Sequence, residues 1–457
     1  MSPHRRLELA KHLQQQGSWL AAAAAYAELA ALVPSDHRFL ANQANALWLA
    51  DLPEATHRCY GRALALQPDC AISLRGLASC LRDLNQFDEA LELHRLLAHQ
   101  IPLASADGQA NLWAHSQLLM GLERYGESFA LMAARTAAPQ SDVSRTAPQT
   151  LMGNLVLMDD LVLVRELVLV SEQGFGDSLQ FVRFLPGLVR LRQAAGLKGG
   201  LQLLIEPALV TLCIEGLAWL GDPPRILPKP PATSRPSRSL SLLNLPHALG
   251  GDQALPAGLE KGYLRSPLWS GTPRWLPRAS SPTGSPTESS KGRGPAIGLV
   301  SAAGRKLDDP FCAREYHKRT LPERELWRLV KGLKQQGALV YDLQFGSDQA
   351  RHRALALELL DPGLSLEGFA TTARVLAQLD LVITVDTAMA HLVGAMGRPG
   401  WVLLPWSADP RWLSATTTTP WYPSLRLFRQ GLGGDWNGAV DQLLAAFRNA
   451  CPPYGQR

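Results

Sequence analysis

Two patterns of apolar positions divide the chain. Through about residue 138 the sequence is rich in Ala, Leu and Gln, reads as helical and carries almost no strand signal. From about Leu151 short Leu/Val runs alternate with helical stretches, which predicts parallel α/β structure. Leu167 to Ser171 and Leu201 to Ile205 read as buried strands, with a helix from Asp177 to about Ala195 between them. Arg225 to Leu227 and Ser239 to Leu245 are weaker strand candidates. A second series follows, with strands at 296–300, 338–342, 381–384 and 401–404. Its helices are expected at 322–336, 366–378 and 388–396, with an amphipathic terminal helix at 438–448.

The helical part repeats. Pro34, Pro68 and Pro102 stand 34 residues apart, the period of tetratricopeptide repeats. Ala22 and Ala90 each lie twelve residues before their prolines, and Tyr26 and Tyr60 eight before theirs. Ala44 and Ala78 share one offset, Leu47 and Leu81 another. Small residues let paired helices approach, and larger ones fill the seam between neighbouring repeats. A generic Ala-rich bundle is the alternative, and it does not explain three prolines in phase. A degenerate fourth repeat is expected from Asn111 to Pro139. Such a solenoid offers a surface to a protein or peptide.

Between the two α/β series, 17 of the 25 residues from 270 to 294 are Ser, Thr, Pro or Gly. That composition cannot bury enough apolar surface to order itself, so 280–294 is expected to be a flexible linker. The expected organisation is α plus α/β: a repeat array over 1–138, an α/β half over 139–279, the linker, and a second α/β half over 295–457. Two such halves imply a cleft, the usual place for a ligand.

Composition narrows the classes. The chain has 457 residues, 46% of them apolar and 19% charged, which fits a multidomain globular protein and excludes disorder throughout. No apolar run reaches the ~18 residues of a membrane span, and Met1 to Arg6 is not followed by an apolar core or cleavage site. Six cysteines without a C-x-x-C pair fit a reducing compartment, so the expected location is cytoplasmic. The net charge of +5 is mild, and no nucleic acid partner is expected.

Several stretches carry candidate chemistry. Ser171-Glu-Gln-Gly174-Phe-Gly176-Asp177-Ser178 lies where a strand gives way to a helix. Glycines there permit tight turns and close ligand approach, and the helix start offers N–H groups to an anion. As a dinucleotide fingerprint it fails, because Leu179 stands where G-x-G-x-x-G needs its third glycine. A plain glycine turn with an Asp cap is one reading. The other makes Asp177 a general base at the cleft. Asp386-Thr387-Ala388-Met-Ala-His391 forms a second strand-to-helix junction. One helical turn sets Thr387 and His391 on one face, where backbone N–H groups, hydroxyl and imidazole suit a phosphate. A satisfied core histidine is the competing reading.

From Lys291 to Lys334 eleven Lys/Arg face five Asp/Glu, a net +6, so the rest of the chain is near neutral. His317-Lys318-Arg319-Thr320 is expected in a loop before a helix, where cations suit a diphosphate. A solvated charged surface is the plainer account. Trp406, Trp412, Trp421 and Tyr422 gather after the strand at 401–404, as core packing or as a platform for a sugar or base. No H-E-x-x-H, clustered His/Cys set, G-x-S-x-G or Walker A sequence occurs, so no metal site is expected.

Taken together, Glu172 to Gln180, Lys318-Arg-Thr-Leu-Pro322, Asp380 to His391 and Trp421 to Phe428 resemble the ADP-heptose:lipopolysaccharide heptosyltransferase family, glycosyltransferase family 9. The resemblance covers about residues 150–450, behind tetratricopeptide repeats. The layout is also similar to that of protein O-GlcNAc transferases. The resemblance implies a GT-B fold of two Rossmann-like halves, an acceptor side first and a nucleotide-sugar donor side second. It implies Asp177 as base, Gly174 and Gly176 in the first loop, and Arg319 near the donor phosphates. Asp386, Thr387, Ala388 and His391 would bind the donor, with Gln344 near the base. The loop Ser301-Ala-Ala-Gly304 departs from the family, where a Trp-Ala-Gly type sequence is frequent. The implied chemistry is inverting transfer with neither metal nor other cofactor, to a protein, peptide or glycan acceptor recruited by the repeats. A non-catalytic repeat scaffold with a degenerate transferase region, and a dinucleotide oxidoreductase, are the competing functions.

Overall fold

The computed structural model describes residues 2–137, 164–231, 239–250, 262–266, 269, 294–362, 366, 368–431 and 433–450. The expected linker at 280–294, apart from Gly294, and the end of the fourth repeat at Pro139 lie outside these residues. The described chain forms two compact units.

The first unit contains eight successive helices: α1 (Pro3–Gln15), α2 (Trp19–Leu32), α3 (His37–Leu49), α4 (Pro53–Leu66), α5 (Ala71–Asp83), α6 (Phe87–Gln100), α7 (Ala106–Gly121) and α8 (Tyr125–Ala137). They read as four pairs. The turn inside each pair passes through the left-handed region at Gly17, Asp51, Asn85 and Glu123. The first three stand 34 residues apart and are residue types that tolerate that conformation. Ala22, Ala44, Ala78 and Ala90 are all fully buried, as the shared offsets predicted. Tyr60 lies so close over Gly76 that a Cβ there would fall 2.2 Å from its ring. The fourth pair starts at Ala106, ahead of the Asn111 expected, where Ser105 caps α7 by accepting from the Gly108 N–H.

Two later segments belong to this unit, 305–318 and 407–414. The expected boundaries gave all of 295–457 to the second half; these two segments of it fall in the first compact unit. The reason is packing: Pro410 stands where a Cβ on Gly121 would fall 2.8 Å from its own Cβ. Arg314 is buried against Asp83 of α5 at 2.7 Å.

The second unit holds two parallel sheets. The first has β1 (Leu167–Val170), β2 (Leu201–Ile205), β3 (Arg225–Pro228) and β4 (Leu240–Ser241) in the order β3-β2-β1-β4. The expected helix at 177–195 is broken into α9 (Phe175–Phe181), a 3₁₀ turn at 182–184, and α10 (Leu185–Ala194). Pro186 explains the restart, because a missing N–H is tolerated only in a first turn. After β2 comes α11 (Val210–Leu217). The strand expected at 239–245 is only two residues long; its continuation turns into α12 (Leu245–Ala248), with the Ser241 hydroxyl accepting from the Leu243 N–H.

The second sheet has β5 (Ala296–Val300), β6 (Leu339–Asp342), β7 (Leu381–Val385), β8 (Gly400–Leu404) and β9 (Leu425–Arg429), in the order β6-β5-β7-β8-β9. Before its helices comes α13 (Pro310–Arg319), which but for its last residue falls in the first unit; its own helices are α14 (Glu323–Gln335), α15 (Gln349–Ala354), α16 (Phe369–Leu376), α17 (Ala388–Ala395) and α18 (Asn437–Ala450). Ile297, Leu299, Ile383, Val385 and Leu403 of the strands pack with Leu326, Leu329 and Leu333 of α14 and with Val440, Leu443 and Phe447 of α18. Strand β9 and helices α13 and α15 lay outside the sequence expectations. Among the described residues the architecture is the expected one: helices, then two Rossmann-like parallel sheets. No described helix is long and apolar enough to cross a membrane.

In each sheet the strand order reverses at one place, between β1 and β4 and between β5 and β7. Loops leaving the C-terminal ends of these strands are where α/β sheets bind ligands.

Candidate active site at the strand switch points

The loop after β1 runs through Ser171 to Gly174, which precedes α9. Asp177 stands in the first turn of α9 and is half-buried. Beneath it lies a polar cluster drawn from three strand ends. Glu206 accepts from the Ser171 hydroxyl at 3.0 Å and the Ser178 hydroxyl at 2.8 Å, and pairs with Lys229 at 2.7 Å. Lys229 also donates to the Ser171 carbonyl at 3.1 Å. Burial pushes the Glu206 carboxyl up, but the Lys229 bond and the hydroxyls outweigh it and hold it below its ordinary range. This cluster was missed in the sequence because its members are 35 and 23 residues apart.

Neither Gly174 nor Gly176 has a positive φ. Gly176 is required for another reason: a Cβ there would lie 2.8 Å from His391 Cδ2 and 3.1 Å from its Nε2. A Cβ on Gly174 would make only ordinary contact, 3.8 Å from an Asp177 carboxylate oxygen. So α9 of the first half sits directly on α17 of the second.

His391 is buried, and its Nδ1 is 2.8 Å from the Tyr422 hydroxyl. Thr387 caps α17, its hydroxyl accepting from the Met389 N–H at 3.1 Å. Ala388 opens the helix and is half-buried. Asp386 is buried and lies 3.9 Å from Arg319, whose guanidinium also donates to the Asp386 carbonyl at 3.5 Å. Arg429, at the end of β9, was missed in the sequence. Burial pushes its pKa down to about 10, while Asp386 acts against the shift. A cation closing an apolar strand was the available signal.

Gln344 is buried and fully engaged with backbone. Its Oε1 accepts from the Ser301 and Ala302 N–H groups, both at 3.0 Å, and its amide donates to the Ala302 carbonyl at 3.3 Å. It shapes the loop after β5. The same loop is held by His352, between the Ser301 hydroxyl at 2.7 Å and Asp342 at 2.9 Å. Gln344 thus has its hydrogen-bond partners in the backbone of the loop after β5.

Two further readings are corrected. His317 to Arg319 is the end of α13 rather than a loop, and Lys318 pairs with Glu315 at 2.8 Å. Trp412, Trp421 and Tyr422 are fully buried, so they are packing residues rather than an exposed platform. Trp421 and Tyr422 enclose Arg183, which reaches from the first half, donates to the Trp421 carbonyl and lies over the rings of Tyr263, Trp421 and Tyr422. The Tyr263 hydroxyl in turn donates to the Leu179 carbonyl at 2.7 Å.

The site therefore sets Gly176, next in the chain to Asp177, against His391, and brings Arg319 to Asp386, the residue before Thr387. Gln344 stands apart from both, within its own loop.

No protein-family model matches the sequence. The chain is 24% identical over 417 residues to Protein FlbA of Caulobacter vibrioides, an alignment covering 85% of this chain. It spans 63% of that protein's length. Among solved structures, it is similar to E. coli heptosyltransferase WaaC with ADP-2-deoxy-2-fluoro heptose: 17% identity, 61% of this chain, 99% of that chain, TM-score 0.38. A glycosyl transferase family 9 protein from Veillonella parvula matches at 10% identity, over 62% of this chain and 96% of that one, TM-score 0.41. An O-GlcNAc transferase mutant of Thermobaculum terrenum covers 98% of this chain and 92% of its own, at 14% identity and TM-score 0.33. At these scores the fold assignment rests on the parallel strand order of the two sheets.

Proposed function

We propose that the second unit is a GT-B glycosyltransferase that moves a sugar from a nucleotide-sugar donor to a hydroxyl acceptor. The observation that carries this reading is the seat of α9 on α17 through Gly176 and His391. It brings a carboxylate, Asp177, to one side of a contact whose other side is a capped helix start, each beyond a strand at its sheet's switch point. Asp177 accepts the proton of the attacking hydroxyl. The start of α17 and Arg319 hold the diphosphate as it leaves, so charge develops against fixed dipoles and a guanidinium. Attack from the face opposite the leaving group inverts the sugar carbon. The chemistry assigned to these residues needs no metal. The repeats recruit a protein, peptide or glycan acceptor.

A second reading, a nucleotide-binding or partner-binding scaffold without turnover, draws on specific observations. His391 already has the Tyr422 hydroxyl as partner, and Gln344 has backbone partners. Calorimetric titration of ADP, UDP, GDP and their sugar conjugates into the full chain separates the two. Binding of one nucleotide series, weakened in His391→Ala and unchanged in Asp177→Asn, supports the donor site. Turnover with that sugar then supports the enzyme, and binding without turnover supports the scaffold. No binding by any of them rejects the donor cleft.

A further inference from the structure

The repeat unit contains an acidic and aromatic recess that already holds a guanidinium. Arg314, on α13, has a side chain only 2% exposed. It donates to Asp83 at 2.7 Å and to Asp51 at 2.6 Å, and its guanidinium lies 4.4 Å above the Trp48 ring. The Trp48 indole N–H donates to the same Asp83 oxygen at 2.9 Å. Phe311, three residues before Arg314 and so on the same helical face, stacks on Trp48 with ring centroids 5.9 Å apart and planes 18° apart. Asp83 is fully buried. Burial pushes its carboxyl up, but Arg82, Lys318 and Arg314 together hold it well below its ordinary range. A buried carboxylate and a buried guanidinium each need the other, since either alone loses water without compensation.

Trp48 also borders a second, open space. A recess of about 290 Å³ lies between α3 and α5, lined by Asn42, Asn45, Trp48, Arg75 and Ser79 among others. Its walls combine the Asn42 and Asn45 amides, the Ser79 hydroxyl and the Arg75 cation with Ala41, Ile72 and the Tyr60 ring, a mixed lining that suits an extended peptide. Trp48 is thus shared between the arginine site and this recess.

We infer that Trp48, Asp51 and Asp83 form an arginine receptor in the repeats, that its resident ligand is the chain's own Phe311–Arg314 face, and that a partner peptide bearing an aromatic residue and an arginine three positions apart competes for it. The resident segment belongs to the same chain, so a free peptide competes against an intramolecular ligand and must overcome that advantage. This inference is independent of sugar transfer: it needs neither donor nor turnover to be tested, and it stands or falls separately.

The test uses the full chain and two readouts. In amide hydrogen exchange, Arg314→Ala should speed exchange at 310–318 by at least about 10-fold while 381–385 of β7 stay as in wild type. Asp51→Asn removes a partner that is half exposed, so the fold is secure, and it should speed the same amides by about 2–3-fold. Unchanged exchange at 310–318 in both variants overturns the proposal. The second readout is fluorescence anisotropy of a labelled synthetic peptide spanning 305–318. It should bind Arg314→Ala at least about 10-fold more tightly than wild type, and the same peptide with alanine in place of its arginine should not bind. Equal affinity for both chains, or none for Arg314→Ala, overturns it.

Discussion

The two sheets of the second unit use the same device, a strand ending at a switch point and a helix beginning beyond it, but they place their polar groups differently. In the first sheet the polar groups lie under the helix. Glu206, Lys229, Ser171 and Ser178 hold α9 from below, and Asp177 rides on it one residue before Ser178. In the second sheet the polar groups are drawn into the loops themselves. Gln344 and His352 clamp Ser301 and Ala302, Thr387 caps α17, and Arg319 engages Asp386. The first arrangement positions one carboxylate; the second fixes a cradle. Under the proposed transfer, such a site would divide its labour: the reacting proton would belong to the first half and the leaving group to the second.

That division is open to direct attack. The largest effect should come from Asp177→Asn, which keeps the shape of α9 and removes the base. Turnover should fall by about 10²–10⁴-fold with donor affinity unchanged, measured by steady-state kinetics beside calorimetry. Equal losses in both quantities would place Asp177 in binding instead. Next is the glycine pair. Gly176→Ala pushes a methyl into the His391 ring and should cost the second unit about 1–3 kcal/mol, read from denaturant unfolding. Gly174→Ala, with open contact only, should stay within about 0.5 kcal/mol. Similar costs for the two would remove the helix contact as the reason for glycine at 176.

Smaller again is Ser301→Ala, which removes one of buried His352's two partners and leaves Asp342; it should cost about 1–2 kcal/mol, with a weaker donor affinity than Ser178→Ala if the cradle belongs to the second half. The smallest concerns pH and separates the units. His115 of the repeats is pushed down to about 4, by burial first and then by His94 and Arg95. It is neutral when folded, while the unfolded chain takes up its proton below 6.5. The repeats should therefore lose about 1 kcal/mol, discounted for partial exposure, as pH falls from 6.5 toward 4. Glu206 has the opposite kind of shift, and its contribution is lost only as pH falls below about 4.5. Melting curves at pH 7, 5.5 and 4 should show the repeats weakening first.

Much of the fold was legible because its signals are local. The 34-residue phase reappears in backbone as left-handed turns at Gly17, Asp51 and Asn85. The apolar runs at 167–170, 201–205, 296–300 and 381–385 are strands because each is buried on both faces of a parallel sheet. What escaped was weak or borderline locally. Strand β9 is only five residues long and carries two arginines, and α13 has several charged residues. The candidate site was legible in part. Asp177, Asp386 and Thr387 occupy the strand-to-helix junctions expected of them, whereas His391 and Gln344 turned out to be bonded to Tyr422 and to backbone.

The sequence by itself determined the order of helices and strands, the repeat phase and the junctions that carry Asp177 and Asp386, because these follow from side-chain periodicity and turn chemistry within a few residues. Only the tertiary structure decided what each polar group touches. Gly176 is glycine because of a ring 215 positions away, and Arg314 is buried because of a carboxylate 231 positions away. Such pairings depend on which surfaces are brought together and stripped of water, and no local pattern in a chain encodes its distant partners.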